Sequence, residues 1–299
     1  MGKALKLLHE IRRDHTAGAS LLAHKGGECF LAFVKEHESA LPLRFVEQLK
    51  ELGNYMKEAQ PAQAPLYNLV TSLQNRVLDA LAKDAEIDEL RRIVRGHVNA
   101  FIQSSHVAVL EIAGAAASQI KDGYTVFTHS YSSSVFAGLK QAKAADIRFH
   151  VIVTESRPVF EGREMAAELA KLGLPVSFIV DAAVTSFIAQ ANIVLLGADI
   201  LTESYFVNKI GTFPIALVAK NYKVPVYVVS ELSKCMPAKE AKDKQEERAT
   251  KQVWDRAPKA VTIRNMHFEE TPLTLVTGVI TEQGLMRKDD IREHVKRTS

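Results

Sequence analysis

An acid, an amide and an ammonium group follow a short apolar run in the second half of the chain. Asp199 comes soon after residues 192–196, and Asn208, Lys209 and the pair Gly211-Thr212 come next. A short apolar run of this kind is typical of a strand buried on both faces of a parallel sheet. Since open parallel sheets bind ligands at the carboxyl ends of their strands, we expect Asp199 to lie in a ligand site.

The chemistry of this segment suits a phosphorylated sugar. Lys209 and the amides of a glycine-containing helix start can hold a phosphate, while Asp199 can exchange protons or bind a sugar hydroxyl. The alternative is a helix cap beside a surface lysine.

Polar residues also follow three other predicted strands of the same half. Thr128, His129 and Ser130 precede a helix, where the hydroxyls either cap that helix or help its amides to hold an anion. Glu155 and Arg157 follow the next strand. The arginine suits bidentate recognition of a phosphate, and an internal ion pair between these two residues is the alternative.

Asp181 follows a further strand, and capping of its own helix is the favoured interpretation of this residue. Together the four clusters predict a polyol phosphate site. No strand is followed by a Gly-x-Gly-x-x-Gly fingerprint, and no Walker-type glycine loop occurs. The histidines are scattered through the sequence, so we expect neither a metal site nor a cofactor.

The composition is that of an ordinary globular protein. The 299 residues are 47% hydrophobic and carry a formal net charge of +3, too little to indicate a direct role in nucleic-acid binding. The first fourteen residues mix charged and apolar side chains, and no apolar stretch approaches the ~20 residues of a membrane span. Cys29 and Cys235 lie far apart, which favours a reduced, cytoplasmic protein without a membrane partner.

Hydrophobic periodicity divides the chain into two domains. Residues 1–115 have helical periodicity and predict a helical domain, with a proline-containing connection at residues 58–65. Residues 116–299 alternate short β-branched runs with helical segments and predict a Rossmann-like parallel α/β domain. Its expected strands are residues 124–127, 149–153, 176–180, 193–196 and 226–229.

The last part of the chain has a weaker pattern. Residues 237–256 are highly charged and predict a mobile loop or an exposed helix. Residues 273–277 and 279–280 are candidates for a further strand, and a polar helix is expected at the end of the sequence.

Motifs in residues 120–235 resemble a known family. They are Thr128-His-Ser-Tyr131, Val153-Thr-Glu-Ser-Arg-Pro158, Leu174-Pro-Val176, Asp181-Ala-Ala183, Gly197-Ala-Asp199, Val207-Asn-Lys-Ile-Gly-Thr212, Ala216-Leu-Val-Ala-Lys220, Val224-Pro-Val-Tyr-Val-Val229 and Glu231-Leu-Ser-Lys234. The family contains the alpha, beta and delta subunits of translation initiation factor 2B, methylthioribose-1-phosphate isomerase and ribose-1,5-bisphosphate isomerase. The resemblance implies a helical domain, a Rossmann-like domain and a homodimer formed through the latter.

The resemblance also implies which residues would catalyse an isomerisation. The isomerases use a cysteine and an aspartate; this chain keeps the aspartate as Asp199 but has Ser130 at the cysteine position and Tyr131 where asparagine is usual. A serine hydroxyl is far less acidic than a thiol and is a poor substitute in proton transfer. The arginine of the Arg-Gly-Ala segment of the isomerases is also missing from residues 15–20.

The sequence is most similar to the alpha-subunit type of factor 2B, and the length of the chain agrees with that type. We therefore expect a regulatory subunit that binds a sugar phosphate or nucleoside monophosphate, with other factor 2B-type subunits as partners. The alternative is an aldose-ketose isomerase acting on ribose 1,5-bisphosphate or methylthioribose 1-phosphate. The expected ligand-binding residues are Thr128, His129, Ser130, Glu155, Arg157, Asp199, Asn208 and Lys209.

Overall fold

The computed structural model describes residues 2–14, 19–61, 63–241 and 247–298. Contacts divide the chain into two compact units, Met1–Val107 and Ala108–Ser299. The division falls eight residues before the boundary at residue 115 that periodicity suggests, inside a long helix that begins in the first unit.

The first unit is helical within its described residues. Its helices are α1 (Lys3–Arg13), α2 (Ala19–Glu36), α3 (Pro42–Ala59), α4 (Ala64–Leu81) and the first part of α5 (Ile87–Ala117). Pro42 and Pro65 lie in the first turns of α3 and α4, where the missing proline N–H would have no helical partner. Phe30, Phe45 and Leu69 are fully buried in a common core. The predicted helical first domain is confirmed.

Helix α5 is long and apolar enough to cross a bilayer by length and composition alone, and 28% of its most apolar window is buried. A single helix of this kind is weak evidence for a membrane span. Arg91, Arg92 and Arg95 lie in its first turns, so the helix is not uniformly apolar.

The second unit has a mostly parallel sheet with helices between its strands. The strands in chain order are β1 (Tyr124–Thr128), β2 (Phe149–Thr154), β3 (Val176–Ile179), β4 (Ile193–Gly197), β5 (Ile200–Leu201), β6 (Tyr205–Lys209), β7 (Val226–Val229), β8 (Phe268–Pro272), β9 (Gly278–Thr281) and β10 (Gly284–Met286). Within the described residues, the main sheet has the order β10-β9-β7-β4-β1-β2-β3, and β10 alone pairs antiparallel. The predicted Rossmann-like architecture is confirmed.

The helices of this unit follow the predicted crossovers. They are α6 (Ser133–Ala144), α7 (Glu161–Lys171), α8 (Val184–Phe187), α9 (Thr212–Asn221) and the terminal α10 (Lys288–Thr298). Every residue of β4 is buried, as its apolar sequence predicts for a central parallel strand. Phe127, Leu196 and Val228 are buried in one core cluster of the unit.

A second sheet, with the order β5-β6-β8, was not expected from the sequence. Residues 273–277 do not form the suggested strand, because Leu273–Leu275 is a 3₁₀ helix and the strand is Gly278–Thr281. In the charged segment 237–256, the described residues contain the 3₁₀ helix Thr250–Gln252 in place of a long exposed helix. Residues 242–246 of that segment lie outside the described residues.

Candidate functional site

The strand order reverses between β1 and β4. The chain passes from β1 through β2 to β3 at one edge of the sheet, then returns to place β4 on the other side of β1. In open α/β sheets a crevice forms at the carboxyl ends of the strands at such a reversal, and ligands bind there. Ser130 lies just beyond the carboxyl end of β1 and Asp199 just beyond that of β4, so the structure places both at the crevice.

The segments after β1 and β4 approach each other closely. A Cβ atom on Gly197 would lie 2.7 Å from both Cβ and Oγ of Ser132, and 3.7 Å from Oδ1 of Asn208. Position 197 therefore requires glycine, because any side chain would push the two segments apart. The close approach brings the β1 loop, the end of β4 and strand β6 together.

Ser130 has a left-handed backbone conformation, with φ of 65°, and is buried. Its backbone N–H donates to Oγ of Ser156 at 2.8 Å, which ties the β1 loop to the β2 loop. Ser132, in the same loop, accepts a hydrogen bond from the N–H of Val135 and caps α6.

Asp181 does not cap its own helix, so the capping interpretation of this residue is wrong. Its carboxylate instead accepts hydrogen bonds from the backbone N–H groups of Ser156 at 2.8 Å and Arg157 at 2.7 Å. Ser156 also has a left-handed conformation, with φ of 61°. The two bonds to a charged acceptor compensate for that strain and hold the β2 loop in place.

His129 is buried, and both of its ring nitrogens are hydrogen-bonded within the protein. Nε2 is 2.8 Å from the carbonyl oxygen of Ile210, which can only accept, so Nε2 carries the hydrogen. Nδ1 therefore accepts from the hydroxyl of Thr154. Burial lowers the pKa of His129, which keeps the ring neutral. His129 is placed to position the loops rather than to contact a ligand.

Lys209 is buried rather than exposed, so the interpretation as a surface lysine is wrong. Its Nζ lies 2.6 Å from Oε1 of Glu161, and 3% of the Lys209 side chain is exposed. The second carboxylate oxygen of Glu161 is buried and has no hydrogen-bond partner among the described residues. The lysine charge is therefore compensated by a carboxylate from α7.

The amides at the start of α9 are also occupied by a protein carboxylate. Oε1 of Glu269 accepts from the N–H groups of Gly211 at 2.7 Å and Phe213 at 2.8 Å. Burial raises the pKa of Glu269, and the hydrogen bonds from these amides oppose that rise. These amides are therefore not available to a phosphate, which corrects the expectation from the sequence.

Asn208 and Thr212 support this turn from inside. Nδ2 of Asn208 donates to Oγ1 of Thr212 at 2.9 Å, and that hydroxyl donates to the carbonyl of Lys209 at 2.6 Å. Asn208 is buried in β6. Its amide stabilises the turn that begins α9.

Arg157 is half-buried at the end of β2, and no ion pair joins it to Glu155, although both side chains are described. Nη2 of Arg157 donates to the carbonyl of Val253 at 3.0 Å. Its guanidinium carbon lies 4.8 Å from the centre of the Phe160 ring. The alternative of an internal Glu155 to Arg157 pair is therefore wrong.

Asp199 and Thr128 are the remaining predicted site residues at the carboxyl ends of β4 and β1. Asp199 is half-buried, and its N–H donates to the carbonyl of Val207 at 2.8 Å. Thr128 is buried at the end of β1, and its hydroxyl has no partner among the described residues. An unpartnered buried hydroxyl is costly in a folded protein, so this atom fits a site that a ligand or water completes.

No activated thiol replaces the cysteine that the isomerases use. Cys29 lies in the first unit, and Cys235 follows β7. Burial raises the pKa of each thiol to about 12, so both are protonated at neutral pH.

Comparison with known proteins shows the family of the chain. Residues 15–288 match the model of the "Initiation factor 2 subunit family". The chain belongs to this family.

Curated relatives in the family carry two kinds of name. A putative translation initiation factor eIF-2B subunit 2-like protein of Pyrococcus horikoshii is 34% identical over 95% of this chain and 96% of its own length. A ribose 1,5-bisphosphate isomerase of Archaeoglobus fulgidus is 32% identical over 95% of this chain and 90% of its own length.

A solved structure has the same fold over nearly the whole chain. The P. horikoshii translation initiation factor eIF-2B superposes with a TM-score of 0.78 at 33% identity, covering 95% of this chain and 96% of that chain. Family membership thus leaves a binding subunit and an isomerase as the two candidate functions.

Three residues that organise these loops are not predicted by the sequence motifs. Glu161 pairs with Lys209, and Glu269 binds the amides at the start of α9. The third residue is Phe160, whose ring lies against the guanidinium of Arg157. Glu161 lies just after the Glu155 to Pro158 cluster, and this proximity is the one local signal that could have drawn attention to it. The segment 15–18, part of the altered Arg-Gly-Ala region, lies outside the described residues.

Proposed function

We propose that this protein is a regulatory subunit of the factor 2B type that binds a sugar phosphate or a nucleoside monophosphate and does not catalyse isomerisation. The observation that carries the proposal is Ser130, which lies at the carboxyl end of β1 where the isomerases have a cysteine. Serine has no thiol, so position 130 cannot supply the thiolate that a cysteine could form near neutral pH. Cys235 does not replace it, because burial raises the pKa of its thiol to about 12.

The ligand site in this proposal is the crevice at the β1–β4 reversal. Thr128 and Ser130 offer hydroxyls, Arg157 offers a guanidinium and Asp199 offers a carboxylate for a sugar hydroxyl. Glu155 lies half-buried at the same edge. His129, Asn208 and Lys209 act through the loops that they hold, because their polar groups are hydrogen-bonded or ion-paired within the protein.

The partners in this proposal are a second copy of the chain, through the Rossmann-like unit, and other factor 2B-type subunits. The names of the eIF-2B relatives support an assembly of subunits. Sedimentation of the purified protein, alone and with candidate subunits, tests this part. A reduced, cytoplasmic location belongs to the same proposal.

The second candidate is an aldose-ketose isomerase. It is favoured by Asp199, which is kept at the carboxyl end of β4, and by the isomerase name of a relative at 32% identity. We expect no turnover of ribose 1,5-bisphosphate or methylthioribose 1-phosphate by the purified protein. Turnover that Asp199→Asn abolishes would establish the isomerase instead.

A thermal-shift screen of sugar phosphates and nucleoside monophosphates tests ligand binding directly. A ligand that binds the native state and not the unfolded chain raises the melting temperature, and the rise grows with the ratio of ligand concentration to Kd. We expect stabilisation by at least one phosphorylated compound and none by its unphosphorylated form. Absence of any shift across the panel would show that the crevice no longer binds this class of ligand.

A further inference from the structure

Residues 247–256, here called the strap, cross the surface of the second unit with little apolar burial. All of them are exposed except Arg248, which is half-buried. A segment with few buried apolar contacts opens locally at a low free-energy cost. The strap is therefore held chiefly by a few polar contacts.

One end of the strap is held by residues that precede β8. Nδ2 of Asn265 donates to the carbonyl of Ala249 at 2.8 Å and to Oε1 of Gln252 at 2.9 Å. Nε2 of His267 lies 2.7 Å from the same Oε1 of Gln252. The carbonyl of His267 accepts from the N–H of Ile210 at 2.9 Å, so this attachment adjoins the candidate site.

The other side of the strap is held by Arg157. Its Nη2 donates to the carbonyl of Val253 at 3.0 Å and lies 3.5 Å from the carbonyl of Gln252. Among the described residues, no carboxylate pairs with this guanidinium. Nη2, one nitrogen of a guanidinium group that has five N–H donors, is thus bound to neutral carbonyl oxygens.

Arg157 is also fixed at the edge of the candidate site. Its backbone N–H is bound by the carboxylate of Asp181, and its guanidinium lies over the ring of Phe160. Hydrogen bonds from arginine to a phosphate are bidentate and about twice as strong as bonds between neutral groups. A phosphorylated ligand would therefore compete well with the Val253 carbonyl for this side chain.

We propose that a bound ligand controls whether the strap stays attached to the second unit. Arg157 is the side chain that attaches it and is here called the latch. This inference rests on the proposed binding of a phosphorylated ligand. Without ligand, Arg157 holds the strap at Val253; a ligand phosphate takes the guanidinium, and the strap population shifts to the released state. Ligand occupancy thereby changes the surface formed by Val253 and Trp254.

The first experiment needs no ligand. Trp254 is the single tryptophan of the chain and adjoins the latched carbonyl, so its fluorescence reports the strap. We expect Arg157→Ala to shift the emission to longer wavelength. Tryptic cleavage after Lys251 and Arg256, followed by mass spectrometry, should accelerate about tenfold, the factor expected for one lost hydrogen bond to a charged group.

Arg163→Ala is the matched control. Arg163 lies over the same Phe160 ring, with its guanidinium carbon 3.8 Å from the ring centre, and no hydrogen bond joins it to the described part of the strap. Emission and cleavage should stay at native values in this variant. Equal effects of the two substitutions would show that packing on Phe160, and not the latch, holds the strap, and would overturn the proposal.

The second experiment uses the native protein and the variant Arg157→Lys. Lysine keeps the positive charge but lacks the planar guanidinium with its several N–H donors. This variant also keeps the test valid if the alanine variant does not fold. Ribose 1,5-bisphosphate and AMP serve as probes. We expect the native Trp254 emission to move toward that of Arg157→Ala, with the lysine variant already partly shifted before ligand is added.

The two proposals fail in different ways. A probe that raises the melting temperature without moving the Trp254 emission would overturn the latch and leave the binding function intact. If no probe raises the melting temperature, the binding function fails, and the ligand-free comparison of Arg157→Ala with Arg163→Ala still decides whether Arg157 holds the strap.

Discussion

Nζ of Lys209 lies 2.6 Å from Oε1 of Glu161, joining β6 to the first turn of α7. The lysine side chain is 3% exposed and the glutamate side chain is 32% exposed. A buried ammonium requires such a partner, because an unpaired charge in the interior is strongly destabilising. The pair thus fixes the end of β6 where Asn208 begins the turn into α9.

Glu161→Gln is expected to lower the free energy of unfolding by about 1–3 kcal/mol, because Lys209 keeps its charge but loses its carboxylate. This destabilisation is smaller than the ~3–5 kcal/mol for breaking a fully buried pair, because the Glu161 side chain is partly exposed to solvent. Urea denaturation at neutral pH measures the change. Lys209→Ala should also destabilise the protein, so this variant does not separate ligand binding from folding.

A surface ion pair of the same length provides the control. Nζ of Lys171 lies 2.6 Å from Oε1 of Glu168 on the same helix, with side chains 71% and 36% exposed. Because solvent screens an exposed pair, Lys171→Ala should leave the free energy of unfolding close to the native value. Equal losses in Glu161→Gln and Lys171→Ala would contradict the view that burial makes the first pair important.

Glu269→Ala is expected to cost about 1–2 kcal/mol, the usual range for losing a side chain that caps a helix. The carboxylate of Glu269 binds the N–H groups of Gly211 and Phe213 at the start of α9. Since exposed amides at a helix start bind anions, added phosphate should restore part of the lost stability in this variant. Thermal unfolding with and without phosphate measures both effects.

Glu270→Ala is the neighbouring control. Glu270 is exposed and pairs with Val207 along β8. Phosphate should affect the Glu270 variant as it affects the native protein. If phosphate stabilises the Glu269 and Glu270 variants equally, the α9 amides are not the added anion site.

The sequence predicts the main sheet well because its signal is local. Residues 193–197 form a wholly buried strand, and the apolar run alone indicates this. Polar residues after β1 and β4 were likewise expected to share one edge, because parallel strands end at the same side of a sheet.

The carboxylates that bind Lys209 and the α9 amides could not be predicted from the sequence, because they come from distant parts of the chain. Glu161 precedes Lys209 by 48 residues, and Glu269 follows Gly211 by 58 residues. A lysine and a glycine turn resemble a phosphate site whether or not protein carboxylates fill them. Strand β6 was missed because its nearby partner, β5, has only two residues, and its main partner, β8, lies 59 positions or more along the chain.

Gly162→Ala is expected to cost more than about 3 kcal/mol. A Cβ atom on Gly162 would lie 1.8 Å from the carbonyl oxygen of Thr154, and relief requires moving the backbone of β2 or α7. Overpacking of this kind commonly costs ~1–3 kcal/mol, and a backbone clash belongs at or above that range. Chemical denaturation measures the loss, and circular dichroism checks that the variant still folds.

Gly114→Ala is the matched substitution at an unobstructed helical glycine. Gly114 lies in α5, and a Cβ atom there meets nothing within 4 Å. Because alanine has the higher helix propensity, this variant should gain about 0.5–1 kcal/mol. Similar stability in the two variants would rule out close contact between Gly162 and Thr154.

The histidines predict how stability depends on pH. Burial, with Lys209 and Arg248 nearby, lowers the pKa of His267 to about 4. Burial also lowers the pKa of His129. In the unfolded chain these rings titrate near pH 6.5, so the unfolded state binds more protons than the folded state below that pH. The free energy of unfolding should therefore fall as the pH is lowered from about 6.5 towards 4.

His267→Gln isolates one part of this dependence. Glutamine keeps a donor for Oε1 of Gln252 but has no titratable ring. The variant should therefore lose less stability than the native protein when the pH is lowered from about 7 to about 5. This range spans the pKa of about 6.5 that a histidine has in the unfolded chain. Urea denaturation across this range gives both slopes. His9→Gln, at an exposed position of α1, controls for removing a histidine elsewhere. If His267→Gln keeps the full native slope, protonation of His267 in the unfolded chain does not contribute to the acid sensitivity.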